Sequence, residues 1–191
     1  MITKTIGALA VCGALGLGLS GCASTKGATP SEKREYTKQM ADDTLQELYG
    51  KVDDAQYKVE NAAGYGVFST IGTNLIFVTT GGGFGMVKNN RTGEITYMNM
   101  AEAGVGLGLG VKDFRAVFVF KDEDTLIRFT EKGWEFGGDA DAAAKAGDSG
   151  GAAGTAVTVG SKISVYQLTK NGIALSATVS GTKYYKDSEL N

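Results

Sequence analysis

The chain of 191 residues contains no histidine, and that absence removes a large share of catalytic chemistry. A serine hydroxyl is a weak nucleophile until a base takes its proton, so hydrolases that rely on a Ser-His-Asp arrangement are excluded. Borderline and soft metals lose their commonest ligand as well. Proline occurs once and cysteine twice. No basic excess is present either: 19 Lys and Arg stand against 21 Asp and Glu, for a net charge of −2. A nucleic-acid partner is therefore not expected. The apolar run Ile6 to Leu19 is shorter than the about 20 residues that a transmembrane helix needs.

The string GDSGG, Gly147 to Gly151, surrounds the nucleophile in chymotrypsin-like proteases. Here Ser149 has no imidazole to activate it, and no S-x-x-K spacing starts at it. The surrounding DADAAAKAGDSGGAAG, Asp139 to Gly154, has the Gly, Ala and Asp composition of a surface loop. Asp139, Asp141 and Asp148 lack the spacing and distal Glu of a calcium loop. The pairs Asp42–Asp43 and Asp53–Asp54 are sequence neighbours that point apart on a helix. No cofactor or metal is expected. A hydrolase using Ser149 or a carboxylate pair stands as the rival reading from the enzyme class.

What is present begins at the N-terminus. Lys4, the apolar run and the small residues after it read as a secretory signal peptide. The segment LSGC, Leu19 to Cys22, resembles the lipobox of bacterial lipoproteins, in which Cys22 receives a thioether-linked lipid and the chain is cut before it. The thiolate character of cysteine suits that transfer. The alternative is a Cys12–Cys22 disulfide, but cleavage would remove Cys12. The expected organisation is residues 1–21 as signal peptide, 22–30 as lipid-modified Cys and tether, and 31–191 as one domain. The mature chain would carry 18 basic and 21 acidic residues, a charge of −3. By the same resemblance Ala23 implies sorting to the outer membrane, with a periplasm-facing domain.

Thr29, Pro30 and Glu32 in TPSE have the spacing of a capping box with proline at the first helical position. A helix should start there, with Tyr36, Met40, Leu45, Leu48 and Tyr49 as its apolar stripe. That stripe either packs on the core or lies on a membrane; the mixed polar face favours the core. A second helix is expected from Val52 to Ala63, capped by Asp53 and stopped by Gly64. A third is expected at DEDTLIRFTEKG, from Asp122 or Asp124 to Gly133. From Tyr65 onward β-branched and aromatic residues alternate, and runs such as YGVFSTI, NLIFVTT, GVGLGLGV, RAVFVF and KISVYQLT read as strands. NNRTG and KNG should turn two hairpins.

In AGVGLGLGV, Gly104, Gly106, Gly108 and Gly110 would occupy one face of a strand and the aliphatics the other. A bare face admits close packing of a neighbouring backbone or, alternatively, an acyl chain. Trp134 is a second candidate contact for lipid, with a core or barrel-rim position as its alternative. The expected fold is α+β, mainly β: N-terminal helices followed by a Gly-rich antiparallel sheet closing into a small barrel or sandwich.

The order AAGYGVFSTI, GGGFGMV, AGVGLGLGVKDFRAVFVFKDEDTLIRF and GIALSATVSGTKYYKD resembles the SYLF domain. The resemblance implies a β-rich domain with leading helices and no known catalytic activity, in bacteria found in secreted or lipid-anchored envelope proteins. It departs from the usual pattern at STIGTN, where many members have an apolar run ending in proline. The resulting expectation is a lipoprotein that binds a phospholipid or fatty acid and supports the envelope, or a structural partner of another envelope protein.

Overall fold

The computed structural model describes residues 25–75, 78–105, 110–136, 157–159, 162–169, 172–174 and 182–191. Helix α1, Pro30–Tyr49, starts as its sequence predicts. The Thr29 side chain accepts from the Glu32 N–H at 3.2 Å, and the Glu32 carboxylate accepts from the Thr29 N–H at 3.1 Å. Met40, Ala41, Leu45 and Leu48 are buried, each large side chain contributing about 1.5–3 kcal/mol of burial. Thr37 and Thr44 join the buried face because their hydroxyls donate to Lys33 and Met40 carbonyls at 2.8 and 2.6 Å, which removes the cost of burying them. The helix covers the core, in agreement with its mixed-charge outer face.

Helix α2 is shorter than expected, Ala55–Glu60. Asp54 precedes it without a side-chain cap bond, and its carboxylate pairs with Lys58 at 2.6 Å instead. Gly64 does not stop this helix; it opens the first strand. The Ala63 N–H donates to the Phe120 carbonyl at 2.9 Å, so sheet pairing captures the chain there.

Four long strands follow: β1 Gly64–Leu75, β2 Val78–Asn89, β3 Ile95–Val105 and β4 Gly110–Phe120. Their spatial order is β3-β2-β1-β4, all antiparallel, which is a Greek key. Helix α3, Glu123–Lys132, comes next, capped by Asp122, which accepts from the Thr125 N–H at 3.0 Å, and ended by Gly133 at φ +73°. The remaining strands are β5 Trp134–Phe136, β6 Val157–Val159, β7 Ile163–Thr169, β8 Gly172–Ala174 and β9 Thr182–Lys186. The full order is β5-β9-β3-β2-β1-β4-β7-β6, with β8 also on β7. NNRTG joins β2 to β3, with Gly93 at φ +74°, and β7 pairs with β8 across KNG.

Two runs read as single strands are divided. NLIFVTT spans the end of β1 and the start of β2, and GVGLGLGV spans the end of β3 and the start of β4. Neither contains Pro, Asn-Gly or another turn signal, so local pattern alone cannot locate the break. The register that pairs Gly72 with Gly81 and Leu75 with Val78 does.

The fold is α+β and β-rich, and the sheet curls into a half-barrel. Tyr184 of β9 lies four strands from β4, about 19 Å on a flat sheet. Its ring centroid is nevertheless 5.3 Å from Phe118 of β4 and 4.7 Å from Phe68 of β1. The face carrying these rings is therefore concave. α1 and α2 cover the opposite face together with Tyr65, Val67, Met86, Val117 and Tyr166. α3 places Leu126 and Phe129 on the concave side. Among the described residues no helix is long and apolar enough to cross a membrane.

Candidate functional site

The concave face changes character along the strands. At one end Phe68, Phe118, Phe120, Phe129 and Tyr184 fill it, all fully buried or nearly so. Edge-to-face contacts such as Phe68–Phe118, 5.5 Å and 86°, add to the burial. Glycines make room for the rings. A Cβ on Gly85 would lie 2.2 Å from the Val67 carbonyl oxygen and 2.4 Å from the Phe68 ring, and one on Gly83 would lie 2.4 Å from the Ser69 oxygen. The glycines of β2 thus let β1 approach closely.

Toward the other end the register places small and polar residues in successive rows on this face. One row is Glu102, Gly81, Gly72 and Lys112; the next is Gly104, Thr79, Asn74 and Gly110. Gly104 and Gly110 thus share a face from two strands that have β1 and β2 between them. Gly106 and Gly108 lie outside the described residues, as do Cys22 and the Asp139–Gly154 loop with Ser149. Trp134 is on the same face but at the aromatic end, packed on Phe129 with centroids 6.2 Å apart. It pairs with Tyr184, itself opposite Met100, four residues along β3 from Gly104.

Residues 101–191 match the Ysc84 family, described as "Las17-binding protein actin regulator". Residues 101–191 are thus the part that matches a Ysc84, or SYLF, domain. It is also 32% identical over 164 residues to "Beta cell expansion factor A" of Aeromonas veronii, an alignment covering 85% of this chain and 60% of that protein. The chain thus spans less than two thirds of that relative's length. The Ysc84 match starts within β3, yet the sheet does not divide there. β1 and β2, which precede it, are the central strands to which β3 and β4 bind.

Outside the concave face, three tyrosines gather where α1 meets α2. Burial pushes the Tyr49 hydroxyl up to about 12, with Tyr65 and Glu60 adding to the effect. Burial also raises Tyr65, helped by Asp42, and Tyr166, where Lys58 acts in the opposite direction. All three are held protonated at neutral pH, so none is a ready base. Asp42, Asp43, Asp53 and Asp54 are exposed. Among the described residues no group of three acids or cysteines is placed to hold a metal. A small depression of about 90 Å³ lies between α3 and the β2–β3 hairpin, lined by Val87, Asn89, Glu94, Thr96, Leu126, Ile127, Thr130 and Glu131.

Sequence reasoning missed the aromatic cluster and the close approach at Gly83 and Gly85. Both have a visible source: the bulky residues of FRAVFVF alternate, and GGGFG supplies the bare face opposite. What the sequence did not indicate is that β9 folds back over them.

Proposed function

We propose that this protein is an outer-membrane lipoprotein, anchored through acylated Cys22 and facing the periplasm, whose SYLF domain binds lipid without turning it over. The observation that carries the binding part is the concave face of the half-barrel. Its aromatic end is a packed core, whereas each of the two rows beyond it carries two glycines, Gly72 with Gly81 and Gly104 with Gly110. A curved sheet face with glycines in these rows supports an acyl chain lying close along the backbone. LSGC supports the anchor, since several acyl chains on one residue hold a protein stably at a bilayer.

The test is mass spectrometry of lipids that co-purify with the domain beginning at Ser24, expressed without its anchor and freed of detergent. A stoichiometric phospholipid or fatty acid, lost when Gly81 or Gly104 is replaced by Leu, is the expected result. A lipid-free domain would assign the glycines to packing alone and end this reading of the trough.

A further inference from the structure

After β9 the chain enters a short turn that the body of the domain grips residue by residue. The β9–β3 ladder ends with Lys186 opposite Met98. Asp187 makes half of the next pair: its N–H donates to the Tyr97 carbonyl at 3.0 Å, and the Asn99 side chain donates to its carboxylate at 2.9 Å. That carboxylate also accepts from the Glu189 and Leu190 N–H groups at 2.8 and 3.1 Å, which bends the segment into an Asx turn.

Beyond Asp187, three successive residues each meet a partner on the body. Glu189 pairs with Lys33 at 2.8 Å, and the Leu190 carbonyl accepts from the Arg34 Nε at 2.8 Å; both partners lie on α1. The Leu190 side chain is 4% exposed, in the core cluster on the α1 side that includes Met40 and Tyr97. Asn191 is exposed, yet its carboxamide accepts from the Tyr97 N–H at 3.0 Å and donates to the Tyr97 carbonyl at 2.8 Å. An amide aligned in this way imitates the backbone of an added strand. It also donates to the Asp187 carbonyl, so it stands between the two groups whose direct bond would complete the Tyr97–Asp187 pair.

Residues 188–191 are held as a bound peptide is held. Leu190 is the one buried residue among them, and the Lys33–Glu189 pair is open to solvent. Their departure orphans no backbone group: the Tyr97 N–H can bond to the Asp187 carbonyl directly, and Lys33 and Arg34 become hydrated. What remains is a groove with an apolar hole for a leucine, two cations at its lip and the Tyr97 backbone at its end. We propose that this groove is a docking site for an acidic, leucine-bearing segment of a partner protein, and that residues 188–191 are its autoinhibitory occupant. Charge complementarity sets the kind of partner: Lys33 takes an acid directly before the leucine, and the Tyr97 backbone reads an asparagine directly after it. Access requires the local opening of four residues and leaves the sheet folded.

The test follows the fluorescence anisotropy of a labelled peptide, fluorescein-Asp-Ser-Glu-Leu-Asn, titrated with the full chain as wild type and as Leu190→Ala. In the wild type the tethered segment competes at an effective concentration of about 1 mM. Leu190→Ala empties the apolar hole, so it is expected to bind the peptide about ten-fold or more tightly than the wild type does. Alanine in place of the peptide's leucine, or Arg34→Ala added to the variant, should remove most of that gain. Equal affinity of wild type and Leu190→Ala, in protein whose near-ultraviolet signal shows the aromatic cluster intact, overturns the proposal. If Leu190→Ala loses that signal, the comparison is made with Glu189→Ala and Asn191→Ala combined, which cuts the polar ties and keeps the buried leucine. Failure of that variant to bind the peptide more tightly than the wild type overturns the proposal equally.

Discussion

Replacing Gly85 by alanine tests the physical account of the half-barrel at its tightest point. The new methyl carbon would start 2.2 Å from the Val67 carbonyl oxygen and 2.4 Å from the Phe68 ring, so relief needs a shift of about 1 Å from a normal contact distance. β1 is bonded on both sides, to β2 and β4, and Phe68 touches Phe118, Phe129 and Tyr184. Neither partner can yield alone. Overpacking of this kind costs about 1–3 kcal/mol, and more where backbone must move; alanine recovers about 0.5–1 kcal/mol through lower chain entropy. With both neighbours held, the upper end of that range applies and a net loss of about 2 kcal/mol is expected, or about 4–8 °C in Tm for a domain of this size. Gly93→Ala is the control. Gly93 has φ +74° with nothing within 4 Å of its Cβ, so only the left-handed strain of about 1–2 kcal/mol applies. Urea unfolding with the near-ultraviolet aromatic signal as probe separates the two, because only Gly85→Ala should also disturb the ring cluster. If Gly85→Ala were no more destabilising than Gly93→Ala and left the aromatic signal intact, the close-approach argument would be wrong.

Other consequences can be measured on the same protein. Tyr49 has a folded-state pKa above its unfolded value, so its stabilising effect is complete below pH 10 and is lost as pH rises through about 12. After discounting for partial exposure, about 1–1.5 kcal/mol should disappear over that range. Denaturant midpoints at pH 8 and 11 should differ less in Tyr49→Phe than in the wild type. Leu190 is buried against the α1 side of the core, and Leu190→Ala should cost about 2–4 kcal/mol, read as a lowered urea midpoint. Thr29→Ala removes one half of the capping box and should cost about 0.5–2 kcal/mol, with amide exchange accelerated over residues 31–34 and unchanged in the sheet.

The helices were legible where their ends carry chemistry. Thr29, Pro30 and Glu32 fixed the start of α1, and Asp122 and Gly133 bracketed α3. α2 was overextended because Asp53, Asp54 and Gly64 all resemble punctuation, while the bond between Ala63 and Phe120 that ends it is 57 residues away in sequence. The strands were legible as β structure from alternation, but their ends were not. Isoleucine and phenylalanine at 76–77 and the glycines at 106–109 look locally like strand interior, and only pairing across the sheet separates β1 from β2 and β3 from β4. The contact of Tyr184 with Phe118 had no local signal at all. For the candidate site, alternation correctly put Gly104 and Gly110 on one face but assigned that face to one strand instead of two.

The ties at the start of α1 have a kinetic meaning. Arg34 and Leu190 are 156 residues apart in sequence, and the two central strands must wait for β4 on one side and, through β3, for β9 on the other. Such a large share of distant contacts predicts folding on the slow side, milliseconds to seconds. A chain emerging N-terminus first would hold the apolar side of its first helix uncovered until β1, β2 and β4 had formed, and the start of that helix untied until Leu190 arrived.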